Sequence, residues 1–275
     1  MSVLRDSVDR TWVGLDVHLN SISAAALVGS TGELVSARLG GEPAGAVAWA
    51  ASLCGARATV IYEAGPCGFG LARLLADAGL EVLVCAPGKV PRAPRDKIKT
   101  DRRDAERLAR LLMAGQLSAV RVPSVAEEGL RDLVRAREDL RRDLMACRHR
   151  ITKTLLRYGL RHPARYGRWS RNHRIWLGRV GLPEPAAQVA FLDQLGVYDF
   201  LVARRGQLEQ ELFARVVDSP VAETAARLRC LRGIDRLTAA GLVAEIGDFA
   251  RFDSAPRLMS WLGLVEPPWV RWRLG

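Results

Sequence analysis

Residues 12–39, WVGLDVHLNSISAAALVGSTGELVSARL, hold three short apolar runs separated by turn-like gaps. WVGLDV (12–17) is rich in β-branched and bulky residues. ISAAALVG (22–29) follows after His18-Leu19-Asn20-Ser21, and ELVSARL (33–39) follows after Ser30-Thr31-Gly32. Strands this closely spaced predict an antiparallel meander, because so few residues cannot cross over a sheet. Gly40-Gly41-Glu42-Pro43 breaks the pattern. A helix is then expected over 44–54 and a buried strand over ATVIYE (58–63). A second helix follows over 66–79, with Leu71, Leu74 and Leu75 on one face, and a strand over EVLVCA (81–86). The order βββαβαβ is an α/β layout with one open sheet.

Beyond it the pattern changes. A loop rich in Pro and basic residues (87–100) precedes a helix over 101–115, ended by Gly115. From about 124 to 160, Leu130, Leu133, Val134, Leu140, Leu144, Ile151 and Leu155 recur at helical spacing. So long a helix suggests a coiled-coil hairpin arm or a dimer. Residues 161–182 read as a basic, aromatic linker, 185–217 as another helix, and 221–264 as a small helical unit. Trp12, Trp49 and Trp261 are expected in cores.

The chain has 275 residues, a net charge of +11 and 49% apolar residues, which excludes a disordered tail, a collagen and a disulfide miniprotein. No apolar run is long enough to span a membrane, and the first residues lack a secretory signal. Five scattered cysteines without CxxC spacing fit a reducing cytoplasm rather than a zinc cluster. The basic excess is concentrated. Between Arg131 and Arg174 there are 14 Lys/Arg against 4 Asp/Glu, and between Lys89 and Arg110 there are 9 against 4. Clustered cations point to a polyanion such as nucleic acid; the plainer reading is a solvated helix face.

Four carboxylates stand out. Asp16 lies in an otherwise apolar strand, where an unpaired charge is costly to bury and a metal would compensate it. Glu63 ends a strand directly before a Gly-Pro turn. Asp101 and Asp104, three apart at a helix start, share one face. Converged, the four suit a pair of hard divalent ions for phosphoryl transfer. The alternative is plain: Asp101 as a helix cap, Asp104 complementing the helix dipole, and Glu63 facing a loop. His18 reads as a strand-end residue rather than a ligand.

WVGLDVHLNSISAAAL, IYEAGPCGFGLARLLADAGLEVLVCAPGKVPR, KTDRRDAERLARLL, RVPSVAEEGLRDLVRAREDL and LRCLRGIDRLTAAGLVAEIGDFARFDSAPRLMSWLGL together resemble the DEDD transposases of the insertion-sequence family usually called IS-one-ten (IS110). The likeness covers roughly residues 12–265, in matching order and spacing. It implies an RNase H-like (RuvC-type) mixed sheet with helices over 10–122, and a basic coiled-coil arm and linker over 123–182. A small all-helical transposase domain follows over 183–275. The family's acidic residues map onto Asp16, Glu63, Asp101 and Asp104, with Mg2+ or Mn2+ implied.

The implied activity is metal-dependent DNA cleavage and exchange by a mobile element's recombinase. The implied partners are DNA, an element-encoded guide RNA in at least some members, and further copies of the chain. Lys97, Lys99, Arg102 and Arg103 flank the acidic residues as expected phosphate contacts, with Arg148, Arg150, Lys153 and Arg157 along the arm. The alternative function is a nucleic-acid-binding remnant without turnover. Family members usually continue past Gly263-Leu264-Val265-Glu266-Pro267 into a segment carrying a nucleophilic serine, so a truncated copy is expected and no serine is assigned. Gly233-Ile234-Asp235 lies between two short helices, as in a phosphate-binding helix-hairpin-helix or an ordinary helical hairpin. No P-loop and no GxSxG elbow occurs, which counts against an ATPase and a serine hydrolase.

Overall fold

The computed structural model describes residues 10–53, 57–91, 100–162 and 167–264. The chain divides into two compact units, 1–123 and 124–275. The first unit contains β1 (Arg10–Val17), β2 (Ser21–Val28), β3 (Leu34–Gly40), α1 (Pro43–Ser52), β4 (Arg57–Glu63), α2 (Gly70–Asp77), β5 (Glu81–Cys85), α3 (Asp101–Met113) and β6 (Ala119–Val120). The sheet order is β3-β2-β1-β4-β5-β6. Short turns make β1, β2 and β3 antiparallel, whereas the α1 and α2 crossovers allow β1, β4 and β5 to run parallel. This is a mixed α/β sheet of the RNase H-like kind, followed by helices.

The strand period of two sorts the side chains. Val13, Leu15, Ile22, Val60 and Tyr62 point to the face covered by α1 and α2, where Ala46, Ala50, Leu71 and Leu75 join them. Each large side chain buried there contributes about 1.5–3 kcal/mol. Ile61 and Cys85 belong to the other face, with Leu108 of α3. On that face lie Gly14 and Asp16.

The second unit is helical: α4 (Val125–Arg157), α5 (Arg171–Leu177), α6 (Pro185–Val217), α7 (Ala222–Leu228), α8 (Arg236–Ile246) and α9 (Ala255–Trp261). Ser124 opens α4 with a capping box: its hydroxyl accepts from the Glu127 amide while the Glu127 carboxylate accepts from the Ser124 amide. The two 33-residue helices α4 and α6 pack antiparallel. Leu144, Cys147 and Ile151 meet Phe191 and Leu195 at one end, and Leu130 meets Leu212 and Val216 at the other.

Several expectations change. Residues 171–177, expected within a linker, form α5, because Leu177 and Trp176 pack into the α4–α6 core. The helix expected over 66–79 covers 70–77; residues 66–69 form a turn, and Leu74 is exposed. Trp261 is 46% exposed rather than buried, its ring against Phe252 and Arg251. Asp101 does not cap α3. Thr100 does, its hydroxyl accepting from the Arg103 amide.

Candidate active site

β1 and β4 are in parallel register with Leu15 opposite Tyr62, so Asp16 and Glu63 are the next positions on neighbouring strands. Both belong to the face on which α3 lies. The helix reaches β1 at backbone range because residue 14 is glycine. A Cβ there would come within 2.2 Å of the Ala105 carbonyl oxygen and 2.6 Å of the Ala109 nitrogen. Small residues on both sides thus let the first turn of α3, with Asp101 and Asp104, start beside the end of β1. Gly14 and Ala105 carry this contact, and neither stands out in the one-dimensional pattern.

His18, in the turn after β1, joins the cluster. Its Nε2 is 3.2 Å from Asp16 Oδ2 and 3.8 Å from Asp101 Oδ1. One ligand atom from each of Asp16, His18 and Asp101 lies within 4.8 Å of the other two. On the other side, Arg107 lies 3.0 Å from Asp104 Oδ1 and 3.9 Å from Glu63 Oε1. Along the sequence Arg107 looks like any basic helix residue; its position three residues after Asp104 is the only signal of the pairing.

The electrostatics reflect this crowding. Burial raises the Asp16 carboxyl above the usual range; His18 opposes the rise, while the charges of Asp101 and Asp104 add to it. Asp104 Oδ2 is buried and has no hydrogen-bond partner among the described residues, and the same is true of Arg107 Nε. Among the described residues the close ligand cluster is Asp16, His18 and Asp101, with Glu63 and Asp104 outside it. The carboxylates of Asp101 and Asp104 add to the burial that raises the Asp16 carboxyl, and Asp104 keeps one buried carboxylate oxygen without a hydrogen bond, a donor set of the hard kind that a divalent cation takes.

The basic residues fall into separate groups. Arg102 and Arg103 are exposed on the first turn of α3, Arg102 in an ion pair with Glu106 at 2.9 Å. Lys97 and Lys99 lie outside the described residues. On α4, Arg150, Lys153 and Arg157 are exposed at i, i+3 and i+7, hence on one face. Arg148 lies away from that face, its guanidinium 5.2 Å from the Trp169 ring centre and 5.7 Å from that of Tyr198. In the turn before α8, Asp235 is the helix cap and accepts from the Thr238 amide at 2.7 Å. Its carboxylate takes up an amide that a phosphate would need.

Comparison with known proteins places these features. A family model for DEDD-type IS110 transposases, described as "Transposase", matches residues 13–160, and a second, "Transposase IS116/IS110/IS902 family", matches residues 225–268. The chain belongs to the IS110 family of insertion-sequence transposases. It is 31% identical over 250 residues to the transposase for insertion sequence element IS1533 of Leptospira borgpetersenii, covering 87% of this chain and 70% of that one. It is 39% identical over 204 residues to the putative transposase y4qE of Sinorhizobium fredii, covering 74% of this chain and 49% of the relative. The putative transposase y4rJ of the same organism is 32% identical over 232 residues, covering 76% and 57%. The chain therefore spans between about half and 70% of the length of these curated relatives. All four acidic residues lie inside the first matched segment of this IS110-type chain. No described helix is long and apolar enough to cross a membrane.

Proposed function

We propose that this IS110-type transposase cleaves DNA strands with divalent metal, Mg2+ or Mn2+, held by Asp16, Glu63, Asp101 and Asp104. The observation that carries the reading is the convergence of the first turn of α3 on the end of β1, where Asp104 Oδ2 is buried without a hydrogen-bond partner among the described residues. The bound metal would supply charge stabilisation at the phosphate and a water made acidic enough to act as nucleophile. The chain's own residues do the rest. Asp16 and Glu63 are fixed by strands in register, so their spacing is set by the sheet. Asp101 and Asp104 project from one rigid turn, so they approach as a unit. Arg107 holds Asp104 and restrains Glu63 through its guanidinium. The exposed cations of α4 attract nucleic acid, DNA in this reading, without reading its sequence.

The test is nicking of supercoiled DNA with Mg2+ or Mn2+ by the chain and by D16N and D104N variants. Metal-dependent nicking lost in both variants is expected. DNA binding without nicking, unchanged by either substitution, overturns the reading in favour of a binding protein without turnover. An arm with structured RNA as competitor asks whether a guide RNA shares the basic face.

A further inference from the structure

The row that carries the acidic residues continues across the sheet. Asp16 on β1 is opposite Ser23 on β2, and Ser23 is opposite Arg38 on β3. Directly opposed residues of antiparallel strands project to the same face. Glu63, Asp16, Ser23 and Arg38 thus form one line across four strands, on the face that α3 covers. Each step is one strand spacing, about 4.8 Å, so Arg38 starts about 10 Å from Asp16.

A cavity of about 570 Å3 opens beside this row, lined by Ser23, Ser36, Arg38, Thr100, Asp101 and Arg102. Its edge toward the metal ligands is Asp101. The Ser36 hydroxyl is engaged with Glu106 at 3.4 Å, and the same Glu106 pairs with Arg102. Arg38 is exposed and has no acidic partner among the described residues. No aromatic ring lines the cavity among the described residues, so it offers charge and hydroxyl donors and no surface for stacking a base.

We propose that this cleft seats the sugar-phosphate backbone of the strand being cut, with Arg38 as a phosphate-binding positioning residue next to the metal centre. The inference rests on the metal-dependent reading above and names where its substrate lies. A guanidinium binds a phosphate by two parallel hydrogen bonds, and hydroxyls complete such contacts without selecting a sequence. Arg38 sits on the edge strand and makes no ion pair with the proposed ligands, so its loss alters the placement of the strand and leaves the metal in place.

The experiment measures binding of fluorescent single-stranded oligonucleotides of two unrelated sequences by anisotropy, in Ca2+, over a series of KCl concentrations. Binding of Mn2+ alone by calorimetry accompanies it. The chain, R38Q, R38K and D104N are compared, with thermal melts confirming that each is folded. R38Q is expected to weaken both oligonucleotides alike, about 3- to 10-fold. The slope of log K against log salt should fall by about 0.7, the value for one phosphate contact on a single strand. R38K should keep the slope, and R38Q should bind Mn2+ as the unaltered chain does. An R38Q slope equal to that of the unaltered chain, or a loss confined to one sequence, overturns the proposal. Failure of the metal-dependent reading shows separately, as Mn2+ binding that D104N leaves untouched.

Discussion

Gly14 and the Ala105 carbonyl are in backbone contact: the Cβ of any other residue at position 14 would lie 2.2 Å from that oxygen. This closeness of β1 to α3 is what places Asp101 and Asp104 next to Asp16. G14A is therefore expected to force the helix outward, costing about 1–3 kcal/mol as overpacking does. Urea denaturation measures the cost. Metal-dependent nicking should fall further than the stability loss explains, because the acidic residues separate.

Arg107 compensates two carboxylates in a largely buried position, with side-chain exposures of 17% for Arg107 and 13% for Asp104. R107Q leaves those charges without their counter-ion and should destabilise the metal-free chain by about 1–3 kcal/mol, less than for a fully buried pair. A bound cation replaces the lost charge. The rise in melting temperature on adding Mn2+ should accordingly be larger in R107Q than in the unaltered chain. An equal rise in both would show that Arg107 and the metal do not share the same carboxylates.

His173 is buried in the second unit, and its Nδ1 accepts from the Trp169 amide at 3.0 Å. Burial, then His162 and Arg168, hold it below the ordinary histidine value of 6.5. The unfolded chain takes up a proton at the ordinary value and the folded chain resists it. This contribution to stability is present above pH 6.5 and is lost as pH falls through the lowered value. Comparing urea midpoints at pH 8 and pH 5.5 tests this, with a smaller difference expected for H173Q.

Asp235 caps α8, and its hydrogen bond from the Thr238 amide holds the carboxyl below the usual range. The cap is in place above pH 3.8 and is lost as pH falls through the lowered value. D235A should lower the melting temperature at pH 7 and leave DNA affinity unchanged. A gain in affinity would instead show that the freed amides bind phosphate, as a helix-hairpin-helix turn does.

Much of this arrangement is legible along the chain. The meander shows because three short apolar runs are separated by turn gaps too short for a crossover, and the two 33-residue helices because their apolar spacing is helical. Asp16 stands out because a charge amid apolar residues needs an explanation. Residues 171–177 are missed as a helix because Arg171, Asn172, His173 and Arg174 look like linker composition; Trp176 and Leu177 decide the matter through contacts with α4 and α6. Arg107 and Arg38 are missed because a basic residue on an amphipathic helix or an edge strand looks like solvent-facing charge until its neighbours are known.

The order of strands and helices, the transposase ancestry and the concentration of cations between Arg131 and Arg174 are properties of the linear sequence, since propensity, spacing and charge act between residues close along the chain. The alignment of Glu63, Asp16, Ser23 and Arg38 in one row, and the descent of α3 onto Gly14, belong to the folded molecule alone. Register couples residues up to 47 positions apart through the sheet's hydrogen bonds. Shifting one strand by a single residue would turn every one of its side chains to the opposite face.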